Sequence, residues 1–149
     1  MPIIKIQSED FHLQSEVDAM RALHKNFGAM VTFTGLVRDE GWITEMVLEH
    51  YPAMTQKTME AIGAEAIQRF DLTDCLIIHR YGALKPGEQI MMVATLAKSR
   101  KPAFEAADFL MDWLKTKAPF WKKEIGTEGD NWVDAKDADD QHAAEWDKT

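Results

Sequence analysis

QIMMVATLA, residues 89–97, decides the fold. The run is short, carries β-branched side chains and is apolar at most positions, so it reads as a strand apolar enough to be central. KSRK at 98–101 makes a short basic loop after it. Pro102 then takes a first-turn helix position, where its missing N–H costs nothing. Ala103, Phe104, Ala107, Leu110, Met111 and Leu114 recur at helical spacing, which predicts an amphipathic helix ending near Thr116. A central strand that passes into such a helix calls for a sheet with the helix laid on it.

The neighbouring segments fit that plan. CLIIHRY (75–81) reads as a strand, followed by a turn in GALKPGE (82–88) that rests on Gly82, Pro86 and Gly87. Met59, Ile62, Ala66, Ile67 and Phe70 form the apolar face of a helix that starts near Met54 or Thr55, after the break at Tyr51-Pro52. AMVTFTGLV (29–37) and ITEMVLEH (43–50) read as strands, expected to pair antiparallel through the loop between them. Gly35 inside the first suggests a bulge or a close backbone approach. Ser15 is the expected N-cap of a first helix carrying Val17, Met20, Leu23, His24 and Phe27, with Gly28 as its stop. Residues 2–6 add a short strand. The order β-α-β-β-α-β-β-α predicts an α+β fold, a mostly antiparallel sheet with helices packed on one face. Its first six elements have the order of a ferredoxin-like unit.

Length and charge narrow the function. A chain of 149 residues is sized for one domain. Its single cysteine, Cys75, rules out an internal disulfide and suits a reducing, cytoplasmic setting. No apolar run reaches the about 18 residues of a membrane span, and MPIIKIQSED lacks the layout of a signal peptide. A net charge of -8 argues against nucleic acid as a partner. The charge is uneven: residues 126–149 hold eight acids against two lysines. We therefore divide the chain into one α+β domain, 1–125, and an acidic tail, 126–149. The tail is either a solvated end or a cover for a basic pocket, the second motivated by its charge and by Trp132 and Trp146.

The opposite charge is concentrated in LKTKAPFWKKE, 114–124, with Lys115, Lys117, Lys122 and Lys123 around Pro119, Phe120 and Trp121. Lysines clustered beside apolar rings would release a proton more readily, and a neutral amine serves as base or nucleophile. The bland alternative is a helix end whose lysines complement the macrodipole in water. Arg38 after the Gly35 strand, and Ser99-Arg100 before the last helix, are the other basic sites at element ends; arginine suits bidentate capture of phosphate or carboxylate. Cys75 reads as a core thiol and His79 as a structural histidine. No spacing of Cys or His matches a metal site, and no glycine-rich phosphate loop occurs, so no metal or cofactor is expected.

Four segments together resemble one family: VTFTGLVRD (31–39), LEHYPAMT (48–55), IIHRYGALKPGE (77–88) and AFEAADFLMDWLKTKAPFWKKE (103–124). The chain resembles the large, catalytic subunit of molybdopterin synthase from Gly28 to about Trp132. The resemblance implies an α/β hammerhead fold and a sulfurtransferase. Such an enzyme makes molybdopterin by adding two sulfurs to cyclic pyranopterin monophosphate. It also implies two kinds of partner: a ubiquitin-like small subunit that delivers sulfur as a C-terminal thiocarboxylate, and a second large subunit at the centre of a heterotetramer.

By the same resemblance, Lys115 is the central catalytic residue and Lys122 supports it. Leu36, Val37 and Arg38 form a substrate-contacting strand end. Arg100 binds substrate from across the dimer, and Lys122, Lys123 and Glu124 form a further contact segment. The family often has His where this chain has Ser99, and serine can donate to a phosphate but carries no charge. That difference keeps open a non-catalytic anion-binding or scaffold subunit of the same fold. Two anions, a phosphate and a thiocarboxylate, would have to meet, and fixed cations answer that need.

Overall fold

The computed structural model describes residues 1–133 and 137–148. The elements run β1 (Ile3–Gln7), α1 (Leu13–Ala22), β2 (Ala29–Leu36), β3 (Ile43–His50), α2 (Pro52–Phe70), β4 (Asp74–Arg80), β5 (Gly82–Leu84) and β6 (Gln89–Ala97). They continue with α3 (Arg100–Thr116), β7 (Phe120–Gly126), β8 (Gly129–Val133), α4 (Asp137–Glu145) and a 3-10 turn, Trp146–Lys148.

The strands form two four-stranded sheets, β1-β4-β6-β2 and β5-β3-β7-β8. In the first, β1 runs parallel to β4 and the other pairs are antiparallel. All seven residues of β4 are buried. Its alternation sends Cys75 and Ile77 to one face and Leu76 and Ile78 to the other. Met59 and Ala66 of α2, and Ala103, Ala106 and Leu110 of α3, cover the first face. Val17 and Met20 of α1 cover the second. The expectation of helices on one face is thus corrected: a strand apolar at both parities needs cover on both sides.

A second correction concerns pairing. β2 pairs with β6, not with β3, and β3 pairs instead with β5 and β7. The ferredoxin-like connectivity fails for the same reason, because β6 fills the place beside β2. The chain leaves the first sheet at Val37, which is buried with Met46, Leu48 and Leu84 in a separate cluster between the sheets. Its N–H donates to Glu88 O at 2.9 Å and its carbonyl accepts from Gly87 N–H at 2.8 Å. That anchorage makes 37–42 a crossing between sheets rather than a hairpin. The irregularity expected at Gly35 is present as a register shift between Gly35 and Leu36.

The first helix starts earlier than expected, with His12 as N-cap and Ser15 inside the first turn, its N–H donating to His12 Nδ1 at 3.3 Å. The lysine-rich stretch after α3 is not only a turn: Phe120–Gly126 is a strand with partners on both sides. The stretch set apart as an acidic tail supplies β8 and α4. Trp146 sits edge-on to Phe70 and Phe109, with its Nε1–H donating to Asp112 Oδ2 at 2.6 Å. An apolar ring with one polar tip gains from such a seat.

Candidate active site

Lys115 lies in the last turn of α3 and is exposed. A cation there meets the helix's unpaired carbonyls favourably. Lys117 closes the helix, its N–H donating to Trp113 O at 2.8 Å. The chain then turns into β7, whose register against β3 places Phe120 opposite His50, Lys122 opposite Leu48 and Glu124 opposite Met46. A period of two puts Phe120, Lys122 and Glu124 on one face, the face of buried Met46 and Leu48. Trp121, Lys123 and Ile125 take the other. Lys123 is there engaged with Asp130 at 3.7 Å and lies over the Trp132 ring at 5.6 Å. Lys122 and Lys123, neighbours in one candidate segment, therefore serve opposite faces.

The inner face is walled by rings. His79 stacks on Phe120 at 3.7 Å, and His50 lies 5.5 Å from Phe120 and 4.7 Å from Tyr81. His79 Nδ1 is 2.8 Å from Arg80 O, so Nδ1 carries the proton, since a carbonyl can only accept. Burial pushes His79 down to about 4, and the charges of His50 and Lys115 act in the same direction. Burial also lowers His50. Both imidazoles are neutral near pH 7. His79 is thus a satisfied structural histidine, and at the same time one side of the site.

The other basic groups sit elsewhere. Ser99 is the N-cap of α3, with φ -140° and ψ 166°, and its hydroxyl makes no capping bond. Ser99 and Arg100 line an open groove of about 620 Å³ with Gly28, Lys101, Phe104 and Glu105. A Cβ at Gly28 would collide with the Lys98 carbonyl, so only glycine lets β2 pass this close. Arg100 and Lys115 are at opposite ends of α3, about 22 Å apart at 1.5 Å per residue. One chain does not bring them together. Arg38 follows the anchored Val37 and is exposed, with its guanidinium 3.4 Å from Glu40. Leu36, at the end of β2, is 56% exposed.

Sequence reasoning did not single out His50. The alternation of β3 puts it on the face of Leu48, and the partner strand β7 completes that face. Cys75 is fully buried, and burial first, then Asp74, pushes its thiol up to about 12. It is an inert core group. Lys117 meets Asp147 at 3.8 Å, an exposed pair beside the docked Trp146. Among the described residues, no group of three or more His, Cys, Asp or Glu could hold a metal ion, and no helix is long and apolar enough to cross a membrane.

Comparison with known proteins adds an independent finding. The model of a family described as MoaE protein matches residues 6–117. A curated relative from Cereibacter sphaeroides, a molybdopterin synthase catalytic subunit, is 50% identical over 144 residues, covering 96% of this chain and 99% of its own. The structure of a molybdopterin biosynthesis MoaE protein from Burkholderia ambifaria superposes with a TM-score of 0.86 at 50% identity, over 99% of both chains. A complex of subunits 1 and 2 of molybdopterin-converting factor from Helicobacter pylori matches with a TM-score of 0.73 at 25% identity, over 90% of both chains.

Proposed function

The chain belongs to the MoaE protein family, the family of molybdopterin synthase catalytic subunits, and from that premise we propose how it transfers sulfur. The donor is the C-terminal thiocarboxylate of a ubiquitin-like small subunit, and the acceptor is cyclic pyranopterin monophosphate. Each donor carries one sulfur, so two donors serve one substrate. Kinship with a two-subunit complex supports a small-subunit partner.

The observation that carries this reading is the inner face of β7. Lys122 shares it with Phe120 and His50, and Lys115 stands in the last turn of α3, a few residues before that strand begins. Donor and acceptor are both anions and repel, so a fixed positive field is what allows their approach. Lys115 sits where sulfur and pterin carbon meet and handles protons there; Lys122 holds the anionic donor or substrate. Arg38, with the anchored backbone of Leu36 and Val37, contacts the pterin side. Lys123 contributes from the rim, and Glu124 orients polar groups of the substrate.

Arg100 and Ser99 are too far along α3 to join their own chain's Lys115. They join that of a second copy, so the working unit is a dimer of this chain with one small subunit on each. The protein works in the cytoplasm, where thiols such as Cys75 stay reduced. The test is reconstitution: this protein, a thiocarboxylated small subunit and cyclic pyranopterin monophosphate yield molybdopterin, and Lys115→Ala yields little while folding normally. A folded parent chain that binds the small subunit without forming product would refute the reading.

A further inference from the structure

Arg80 is a buried cation to which sulfur transfer gives no task. It ends β4, and its side chain is only 8% exposed. A charge taken out of water persists only with partners. Its direct bonds go to backbone carbonyls: Nε–H donates to Ser8 O at 3.1 Å and Nη1–H to Gln89 O at 2.9 Å. Its counter-charges stand further off and are exposed, Glu88 Oε1 at 3.7 Å and Asp10 Oδ1 at 3.8 Å. Asp10 Oδ1 is itself held by Gln89 Nε2–H and Phe11 N–H, each at 2.8 Å. The guanidinium therefore ties the segment after β1 and the turn before β6 to the end of β4.

That turn is the one that grips Val37. Lys85 N–H donates to Glu88 Oε2 at 2.6 Å, and Glu88 N–H to Lys85 O at 3.0 Å. One carboxylate oxygen of Glu88 thus closes the turn while the other faces Arg80. Val37 N–H then donates to Glu88 O at 2.9 Å, and Gly87 N–H to Val37 O at 2.8 Å. Gly87 has φ 90°, a conformation open to glycine, which aims its N–H at the crossing chain. Both backbone groups of Val37 are bound to two successive residues of one turn. The place of the turn therefore sets the direction in which the chain leaves Val37, and Arg38 comes next. The side chain of Arg38 meets Glu40 at 3.4 Å, an exposed pair that orients it little.

We propose that Arg80 is a positioning residue for Arg38: through Gln89 and Glu88 it holds the 85–89 turn, and the grip of that turn on Val37 aims Arg38 at the anionic substrate. The inference rests on the reading that Arg38 contacts the pterin, and deepens it.

Two variants test it in the full chain. Arg80→Lys keeps the charge and loses the planar fork that reaches two carbonyls at once. Glu88→Ala is the milder cut, because that side chain is 41% exposed. Native-state amide exchange without substrate should show Val37 and Gly87 exchanging about tenfold faster in both, with the amides of β6 at parental rates. In turnover with the thiocarboxylated small subunit, KM for the pterin should rise about threefold to tenfold, and kcat should change by less than about twofold. In an Arg38→Ala background either change should add less than about twofold to KM, because its route to the substrate is gone.

Parental exchange at Val37 in both variants overturns the proposal. So does faster exchange throughout β6 in both, which would make Arg80 a prop of the whole sheet, and so does a KM effect as large without Arg38 as with it. Arg38→Ala with the parent's KM overturns instead the substrate contact assigned to Arg38, and this role falls with it. The failures are distinct, because the single Arg38 variant reads that contact with Arg80 and Glu88 intact.

Discussion

The two ends of α3 both carry cations, in opposite settings. At the C-terminal end Lys115 sits in the last turn, where its charge complements the helix dipole. At the N-terminal end Arg100 and Lys101 add to a dipole that is already positive, and no acid stands in the first turn. Cations there are unfavourable until an anion arrives, so that end suits anion capture. The helix between is a rigid spacer of about 22 Å. The roles proposed for the two ends can meet only if a second chain brings its Arg100 to this chain's Lys115.

The sharpest way to break the comparison is at the C-terminal end. Lys115→Ala should lower kcat by about a hundredfold to a thousandfold, with an unchanged circular dichroism spectrum. If turnover survives, that end is only a well-capped helix.

The second way is acid. Folded His79 has its affinity for protons lowered to about 4, against an ordinary 6.5, so between those values the unfolded chain binds more protons. The stabilisation is complete above 6.5 and is lost as pH falls toward 4, on the order of 3 kcal/mol in all. Denaturant titrations across that window measure it. Removing the Lys115 charge should shrink the loss slightly, whereas Arg100→Ala, at the far end, should leave it unchanged.

Third, Arg100→Ala should raise KM for the pterin substrate by about tenfold to thirtyfold, with a smaller effect on kcat. It should also flatten the salt dependence of binding. A loss confined to kcat would place Arg100 at the chemistry instead. The smallest effect belongs to Ser99→His. Below pH 6.5 the added imidazolium should tighten substrate binding by about twofold to fivefold, and above pH 7.5 the two proteins should match. Isothermal titration at the two pH values checks this.

Local signals in the sequence were read with success. The periodicity of α2 and α3, the break at Tyr51-Pro52 and the irregularity at Gly35 all depend on residues within a turn or two of each other. The partnership of β3 with β7 does not. Two adjacent strands separated by a short polar loop look like a hairpin, and only the burial of Val37 between the sheets shows that the chain crosses over. β7 was hidden because its alternation, Phe120-Lys122-Glu124 against Trp121-Lys123-Ile125, mixes apolar and charged residues on both faces. Without β7 as a strand, nothing in the residue spacing showed that Lys122 and Lys123 serve opposite faces. The same long-range packing seats Trp146 against Phe70 and Phe109, where the sequence had left the acidic tail between a solvated end and a cover for a basic pocket. The separation of Arg100 from Lys115, by contrast, was already implicit in one unbroken helical repeat.

The claim that the two ends of α3 work together across two chains has a direct test. Lys115→Ala and Arg100→Ala proteins are mixed, allowed to exchange subunits, and assayed for molybdopterin with the thiocarboxylated small subunit. Random pairing gives mixed dimers in which one site has both residues intact, so the mixture should regain about a quarter of the parent activity. A mixture no more active than the average of the two variants assayed separately would mean that each chain uses its own residues alone, and would contradict the account.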